Sequence, residues 1–503
     1  MISKNDLGRP SLPSMAWQAL PGGDADRDDA MEAIRLMASG GDARIVLDPV
    51  TGLNAYMSAP YPRDCLAYAS STANDVSPAG FAQALAALRA DAGSYAARLD
   101  TLRDRIRAAY GVAADHAIAF APSGTDLEYV ALAAVRGRGP GGIHNILLGA
   151  DEVGSGCIHS AHGRYFARET ARGIAVVPGD EVDGIGPVAL ADVAVRCGDG
   201  LARSSAEIAD AIAAEAEPAI AAGRHVLVHV VHGSKTGLIL PEMSEIRALK
   251  ARFGTDVSFV IDACQARITS SSIAAYLALD AMIFLTGSKF MGGPPFSGFA
   301  ILPAGVAQNA ASVPTGFADI FRRDEWPREW AGRDVLMRED NFGLWLRLEV
   351  SIFELERWQA TPMARIEGVI AAFRDAVTER IVTPLGLSKV VAYPPGHAET
   401  AENHPVAMRT LVTLDISSLP AIRSFADAQT LHRRMADAGI RLGQPVKSVR
   451  MADGGWGGTL RIGLSMPQIT RLAQCEQDEA GRMLRADMER IADAIRSHAM
   501  TPE

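Results

Sequence analysis

The stretch Phe284-Leu285-Thr286-Gly287-Ser288-Lys289-Phe290-Met291-Gly292-Gly293 runs from an apolar, strand-like segment into a turn rich in glycine and hydroxyls. A lysine delivered into such a turn by a buried strand is placed to bond an aldehyde. Upstream, Val257-Ser258-Phe259-Val260-Ile261-Asp262-Ala263-Cys264-Gln265 reads as another buried strand that ends on a carboxylate, with an amide three residues later. Farther back, Ile118-Ala119-Phe120-Ala121-Pro122-Ser123-Gly124-Thr125-Asp126-Leu127-Glu128 passes from a short strand through Ser-Gly-Thr into a helical pattern. Unpaired main-chain N–H groups at a helix start, with hydroxyls beside them, form an anion cradle.

Around these pieces, residues 116 to 302 alternate short Val/Ile-rich runs with Ala-rich helical stretches. The runs predict strands at 116–121, 144–149, 173–178, 225–231, 257–262, 281–286 and 298–302. This is the α/β pattern of a mainly parallel, seven-stranded sheet with helices on both faces. Ligands of such sheets sit outside the carboxyl ends of the strands, where Ser123, Asp262 and Lys289 fall.

A lysine for a Schiff base, an aspartate for a pyridinium nitrogen and a phosphate cradle are together what pyridoxal 5'-phosphate (PLP) requires. With His229-Val230-Val231-His232-Gly233-Ser234-Lys235-Thr236-Gly237 and Leu460-Arg461-Ile462-Gly463-Leu464-Ser465 added, the chain resembles the fold type I PLP-dependent enzymes, in the group of class V aminotransferases and cysteine desulfurases. The resemblance spans roughly 118 to 465. It implies that Lys289 carries the cofactor, Asp262 pairs with the ring nitrogen and Gln265 contacts the phenolic oxygen. It also implies that Ser123, Gly124, Thr125, Thr286 and Ser288 hold the phosphate and that Arg461 grips a substrate carboxylate. Ser234 and His232 are further expected cofactor contacts, and Asn54, in a loop-rich segment at 52–74, an expected substrate contact. A homodimer is implied as well, with residues around Arg333 to Phe342 reaching across. Three departures stand out: Glu152-Val153 occupies the place of the ring-stacking histidine, Ser234 that of an asparagine, and Ser288 that of the histidine before the lysine.

The expected division is an N-terminal arm (1–45), a large cofactor-binding domain (46–340), a linker helix (341–360) and a smaller C-terminal α/β domain (361–503). Helical patterns fill 81–109, 341–381 and 469–497. Hydrophobic residues make up 48% of the 503, enough for a large core. With 49 basic and 59 acidic residues the net charge is −10, so no global basic surface invites nucleic acid or anionic lipid. Five widely spaced cysteines without a C-x-x-C suggest neither a disulfide framework nor a zinc site. No apolar run reaches the length of a membrane span. The expectation is a cytoplasmic enzyme with a small amino substrate, no metal, no nucleic acid and no membrane partner.

Other motifs carry less. Gly137-Arg138-Gly139-Pro140-Gly141-Gly142 matches a dinucleotide fingerprint but follows a helix and enters a strand, the reverse of what pyrophosphate binding needs, so a nicotinamide oxidoreductase is disfavoured. His229 and His232 fall on opposite faces of a strand, which argues against a shared metal and leaves one of them free to face the cofactor. Cys475, beyond Cys264 the only cysteine of the C-terminal half, sits in a polar helical context that does not suit persulfide chemistry. Among PLP reactions an aminotransferase ranks first. A lyase cleaving a C–S or C–C bond, or a decarboxylase, comes next.

Overall fold

The computed structural model describes residues 24–90, 93–149, 152, 156–392 and 406–499. A short strand β1 (Leu66–Tyr68) precedes β2 (Ala117–Ala121), β3 (Ile143–Leu148), β4 (Val188–Val193), β5 (His225–His232), β6 (Ile239–Leu240), β7 (Val257–Asp262), β8 (Met282–Thr286) and β9 (Gly298–Leu302). From β2 onward they form one sheet in the order β2-β9-β8-β7-β5-β3-β4, with two-residue β6 added beside β5. Strands β8, β7, β5, β3 and β4 are mutually parallel, and β9 runs antiparallel to both its neighbours. The expected seven-strand path is therefore present, and β6 makes the sheet eight-stranded.

Alternation along each strand sends side chains into two separate cores. Ile118, Phe120, Ile261 and Ile283 pack on one side, and Ala119, Val260 and Phe284 on the other. Both faces are covered, which is why β5 (His-Val-Leu-Val-His-Val-Val-His) is buried along its whole length. On one face lies the helix Ser205–Ala221, whose start is fixed by a capping box between Ser204 and Glu207. The helix Leu127–Val135 contacts β2, β5 and β9, and all nine of its residues are buried.

The strand predicted at 173–178 is a correction. That segment makes only an isolated bridge, Glu169 to Ala175, and its Ile174 and Val177 are 38% and 59% exposed. The place beside β3 is taken by Val188–Val193, which matches β3 residue for residue over six positions. Pro178 cannot donate to a ladder, and the apolar side chains before it are only partly covered.

The helix Phe342–Gln359 crosses behind the sheet, its first turn closed by Asn341 Oδ1 accepting from Leu344 N. Beyond it, β10 (Ser388–Lys389), β11 (Leu411–Asp415) and β13 (Thr459–Gly463) form an antiparallel sheet, while β12 (Ile440–Leu442) pairs in parallel with β1. The helices Met363–Val377 and Gln477–Ala499 pack against each other in this part. Of the expected N-terminal arm, residues 1–23 lie outside the described residues, and Asp24–Met37 is a helix lying against Phe342–Gln359.

Candidate active site

Three loops leave the carboxyl ends of β2, β7 and β8 and line one cavity of about 290 Å³. The first carries Ser123-Gly124-Thr125 into the helix Leu127–Val135, at whose start the Glu128 and Tyr129 N–H groups turn back onto Thr125 O and Asp126 O. A Cβ on Gly124 would stand 2.9 Å from Thr286 Cγ2, so this turn approaches the end of β8 as only glycine allows. Ser123 Oγ donates to Asp126 Oδ2 at 2.5 Å, which commits its proton within the protein. Thr125, the next hydroxyl, lines the cavity.

At the end of β7, Asp262 Oδ1 accepts the Cys264 N–H at 3.0 Å, and burial together with the Asp262 charge pushes the Cys264 thiol well up. Thr286 Oγ1 donates to Cys264 O at 2.7 Å and accepts from Ser288 Oγ at 3.3 Å, which joins the second and third loops. Asn74 Nδ2 donates to the carbonyls of Ser288 and Lys289 and holds the lysine turn from the far side. Lys289, Asp262, Ser123, Gly124, Thr125, Gln265, Thr286 and Ser288 all line this one cavity.

The opposite wall comes from β13 and from the segment after β1. Arg461, 2% exposed, donates to Gln444 O (2.6 Å), Lys235 O (3.0 Å) and Thr72 Oγ1 (3.2 Å), and pairs with no acidic side chain among the described residues. Burial lowers its pKa to about 10, with Glu152 opposing. Gln265 Nε2 donates to Ser71 O, and its Oε1 accepts from the fully buried Arg267. Ser234 Oγ and Thr236 Oγ1 donate to Glu152 Oε2, and Arg196 pairs with Glu152 Oε1 at 2.7 Å. Burial alone would raise the Glu152 carboxyl; Arg196 and the two hydroxyls outweigh it and hold it below the usual value. Ser234 therefore reaches the cavity as part of a locked carboxylate cluster.

Two expected site residues stand elsewhere. His232 faces away from the cavity, its Nδ1 3.0 Å from the Tyr276 hydroxyl and its ring edge-on to that tyrosine. Asn54 closes its own loop, Oδ1 accepting from Tyr56 N, Ser58 N and Ser58 Oγ, and is not among the residues that line the cavity. Val153 lies outside the described residues. The cavity also takes in residues that sequence reading missed: Arg44, Tyr56, Glu128 and Lys235. Arg44 donates to Tyr56 OH and pairs with Asp42, and its guanidinium lies 5.1 Å from the Phe296 ring centre. Lys235 is held below its ordinary pKa by burial and by the neighbouring Arg461 and Lys289. Glu128 and Lys235 lay inside stretches already singled out, whereas nothing local marks Arg44 or Tyr56. Among the described residues no cluster of three or more His, Cys, Asp or Glu could hold a metal ion, and no helix is long and apolar enough to cross a membrane.

No protein-family model matches the chain, and no curated protein is similar to it in sequence. Solved structures are similar in fold. A cysteine desulfurase from Thermococcus onnurineus NA1 shares 15% identity at a TM-score of 0.51, over 86% of this chain and 95% of that one. The cysteine desulfurase CsdA from Escherichia coli shares 14% at 0.51, over 84% and 94%. A C-DES variant with glycine covalently linked to its PLP cofactor shares 15% at 0.50, over 85% and 97%. Across nearly the full length of these proteins, and with β9 running antiparallel between β2 and β8, this chain shares the fold type I architecture of these two cysteine desulfurases and of C-DES.

Proposed function

We propose that this protein is an enzyme that carries pyridoxal 5'-phosphate on Lys289 and acts on a small amino acid as an aminotransferase. The observation that carries the reading is the meeting of Lys289, Asp262 and the Ser123-Gly124-Thr125 turn in one cavity. The donor set fits the cofactor. Gly124 lets a helix start approach the lysine loop, Asp262 offers a carboxylate at a strand end, and Arg461 is a buried cation with no acidic partner. When bound, the cofactor supplies the electron sink that stabilises a carbanion at the substrate α-carbon.

The chain's own groups have distinct tasks. Thr125, Ser288 and the main-chain N–H groups of Gly124 and Thr125 would hold the phosphate. Asp262 keeps a proton on the ring nitrogen. Gln265 Nε2 has a second N–H beyond the one given to Ser71 and directs it at the ring oxygen. Each terminal nitrogen of Arg461 likewise keeps a second N–H, and together they take a carboxylate in two-pronged fashion. The Lys289 amine would serve as the general base and then acid for the substrate α-proton. Two of the proteins similar in fold are cysteine desulfurases, an activity that needs a mobile, reactive thiol. Of the two cysteines lining this cavity, the Cys264 thiol is held up by burial and by Asp262, and Cys157 is 6% exposed and fixed at the start of the helix Cys157–Ala161, while Cys475 bonds a helix carbonyl away from the cavity, so transamination is the better match. A homodimer belongs to the same reading.

Borohydride treatment of the PLP-loaded protein, followed by peptide mass mapping, should find the reduced cofactor on Lys289 and nowhere else. An adduct that persists in Lys289→Ala ends the assignment. Amino acids screened with and without a keto-acid acceptor then decide the reaction. Strict dependence on the acceptor supports the aminotransferase, while acceptor-free release of ammonia, sulfide or carbon dioxide replaces it with a lyase or decarboxylase.

A further inference from the structure

Arg267 is a fully buried cation with no acidic partner among the described residues, and every group it bonds is an acceptor. Its Nη1 donates to Gln265 Oε1 at 2.7 Å, its Nη2 to Ser70 Oγ at 2.8 Å and its Nε to Thr410 Oγ1 at 3.0 Å. Both hydroxyls give their own protons away, Ser70 to Leu464 O and Thr410 to Ala407 O. The guanidinium also lies 4.8 Å from the ring centre of Phe290, the residue after Lys289. Ala266, between Gln265 and Arg267, is held at φ +57°, a left-handed backbone that a Cβ disfavours, and this turn brings the side chains on either side of it together.

We infer that Arg267 is a positioning residue that acts on the cavity through Gln265: it locks the amide with its oxygen turned to the guanidinium, so that the cavity meets an N–H and this wall selects an acceptor oxygen. That the oxygen belongs to the ring of PLP rests on the proposed function.

The chemistry of both neighbours fixes the amide. A guanidinium has donors and no acceptor, so only the amide oxygen can face it. Ser71 O, an acceptor, takes one hydrogen of Nε2 at 3.2 Å. The second Nε2 hydrogen is then the polar group that Gln265, a lining residue, has left for the cavity. Turning the amide over would set Nε2 against Arg267 and Oε1 against Ser71 O, which breaks both bonds at once. Burial, then Arg461, lowers the Arg267 pKa to about 9, so the group is still charged at pH 7. A charged donor on Oε1 makes the stronger kind of hydrogen bond and polarises the amide, which sharpens its N–H as a donor.

Two measurements separate this task from mere bracing of the fold. In cofactor-free protein labelled with heavy nitrogen in its glutamine side chains, the Gln265 amide pair is identified by its absence from Gln265→Ala. It should exchange slowly with solvent, and Arg267→Met should speed that exchange about tenfold or more. Unchanged exchange overturns the inference. Should Arg267→Met fail to fold, Arg267→Lys, which still faces Oε1 with donors only, should keep the slow exchange, and its loss there overturns the inference. In PLP-loaded protein, a donor to an anionic oxygen favours the deprotonated state. Gln265→Ala and Arg267→Met should therefore each raise the pH midpoint of the visible band by about one unit, a roughly tenfold change in proton affinity. Because one residue acts through the other, the double variant should shift no further than the larger single shift. A midpoint left in place by Arg267→Met, or two shifts that add, overturns the inference. Should the wild-type protein take up no PLP, the proposed function falls, while the exchange result still decides how the amide is held.

Discussion

Asp126 shows how one side chain can govern the cradle beside it. It is 3% exposed and holds the Ser123 hydroxyl. Burial, the largest influence, pushes its carboxyl up to about 7; Asp42 and Glu325 add to this, and Ser123 and Arg44 oppose it. Below that pH the group is neutral and tolerates an anion in the adjoining turn. Above it a negative charge appears next to the phosphate. A unit charge at about 5 Å and an effective dielectric of about 20 is worth roughly 3 kcal/mol, ample for a tenfold effect. Affinity for pyridoxal phosphate should therefore fall about tenfold or more as pH rises through 7, and Asp126→Asn should remove most of that fall. Equilibrium dialysis of both proteins at matched pH values isolates the Asp126 contribution from the titration of the phosphate itself, and equal slopes would refute it.

At the scale of elements, the lysine turn depends on a helix outside its own loop. A Cβ at Gly287 or at Gly293 would collide with the Ser351 side chain, whose hydroxyl donates to Arg347 O within the helix Phe342–Gln359. The turn thus wraps one serine, and glycine is required for the close approach. Gly287→Ala should cost about 1–3 kcal/mol in urea unfolding and lower the yield of the Lys289 adduct. Ser351→Gly costs about 1 kcal/mol as a helix-interior glycine, but the double variant should be less destabilised than the two single costs added together. Simple additivity would mean that the two residues do not share the strain. This dependence was invisible in sequence. The strand-turn units holding Ser123, Asp262 and Lys289 were legible because hydrophobic period and turn composition are local signals. Ser351, Arg44 and Tyr56 reach the site from far along the chain, where no periodicity marks them. That Asn54 and His232 stand outside the cavity lining was not legible for a related reason: a polar residue in a loop or strand has the same local pattern whether it closes its own turn or faces a ligand.

Across the whole molecule, the cavity is held together by the segment between β1 and Asp75. Ser71 O accepts from Gln265, Thr72 Oγ1 accepts from Arg461, and Asn74 donates to the lysine turn, so this segment touches the loops after β7 and β8 and the strand that carries Arg461. Asp75 anchors it, accepting from Ala59 N at 2.8 Å, Arg63 Nε at 3.1 Å and Arg441 Nη2 at 3.0 Å, while Arg441 Nη1 also donates to Ala73 O. Because β12, which carries Arg441, pairs with β1, this ion cluster ties the C-terminal part to the segment that follows β1. Burial alone would raise the Asp75 carboxyl, but Arg441 and Arg63 outweigh it and depress the folded-state pKa. A depressed folded pKa gives stability that is complete above the ordinary carboxylate range and is lost as pH falls through and below it. Asp75→Asn should accordingly cost about 3 kcal/mol at neutral pH by leaving two buried guanidinium groups without their anion. Its stability should also fall less steeply than wild type on acidification. Because the same segment braces Arg461 and the lysine turn, the variant should release PLP faster even under conditions where it remains folded. Urea titrations at neutral and acid pH, paired with cofactor-release rates, check both parts, and an Asn variant with wild-type stability and retention would show that the cluster does not carry the join.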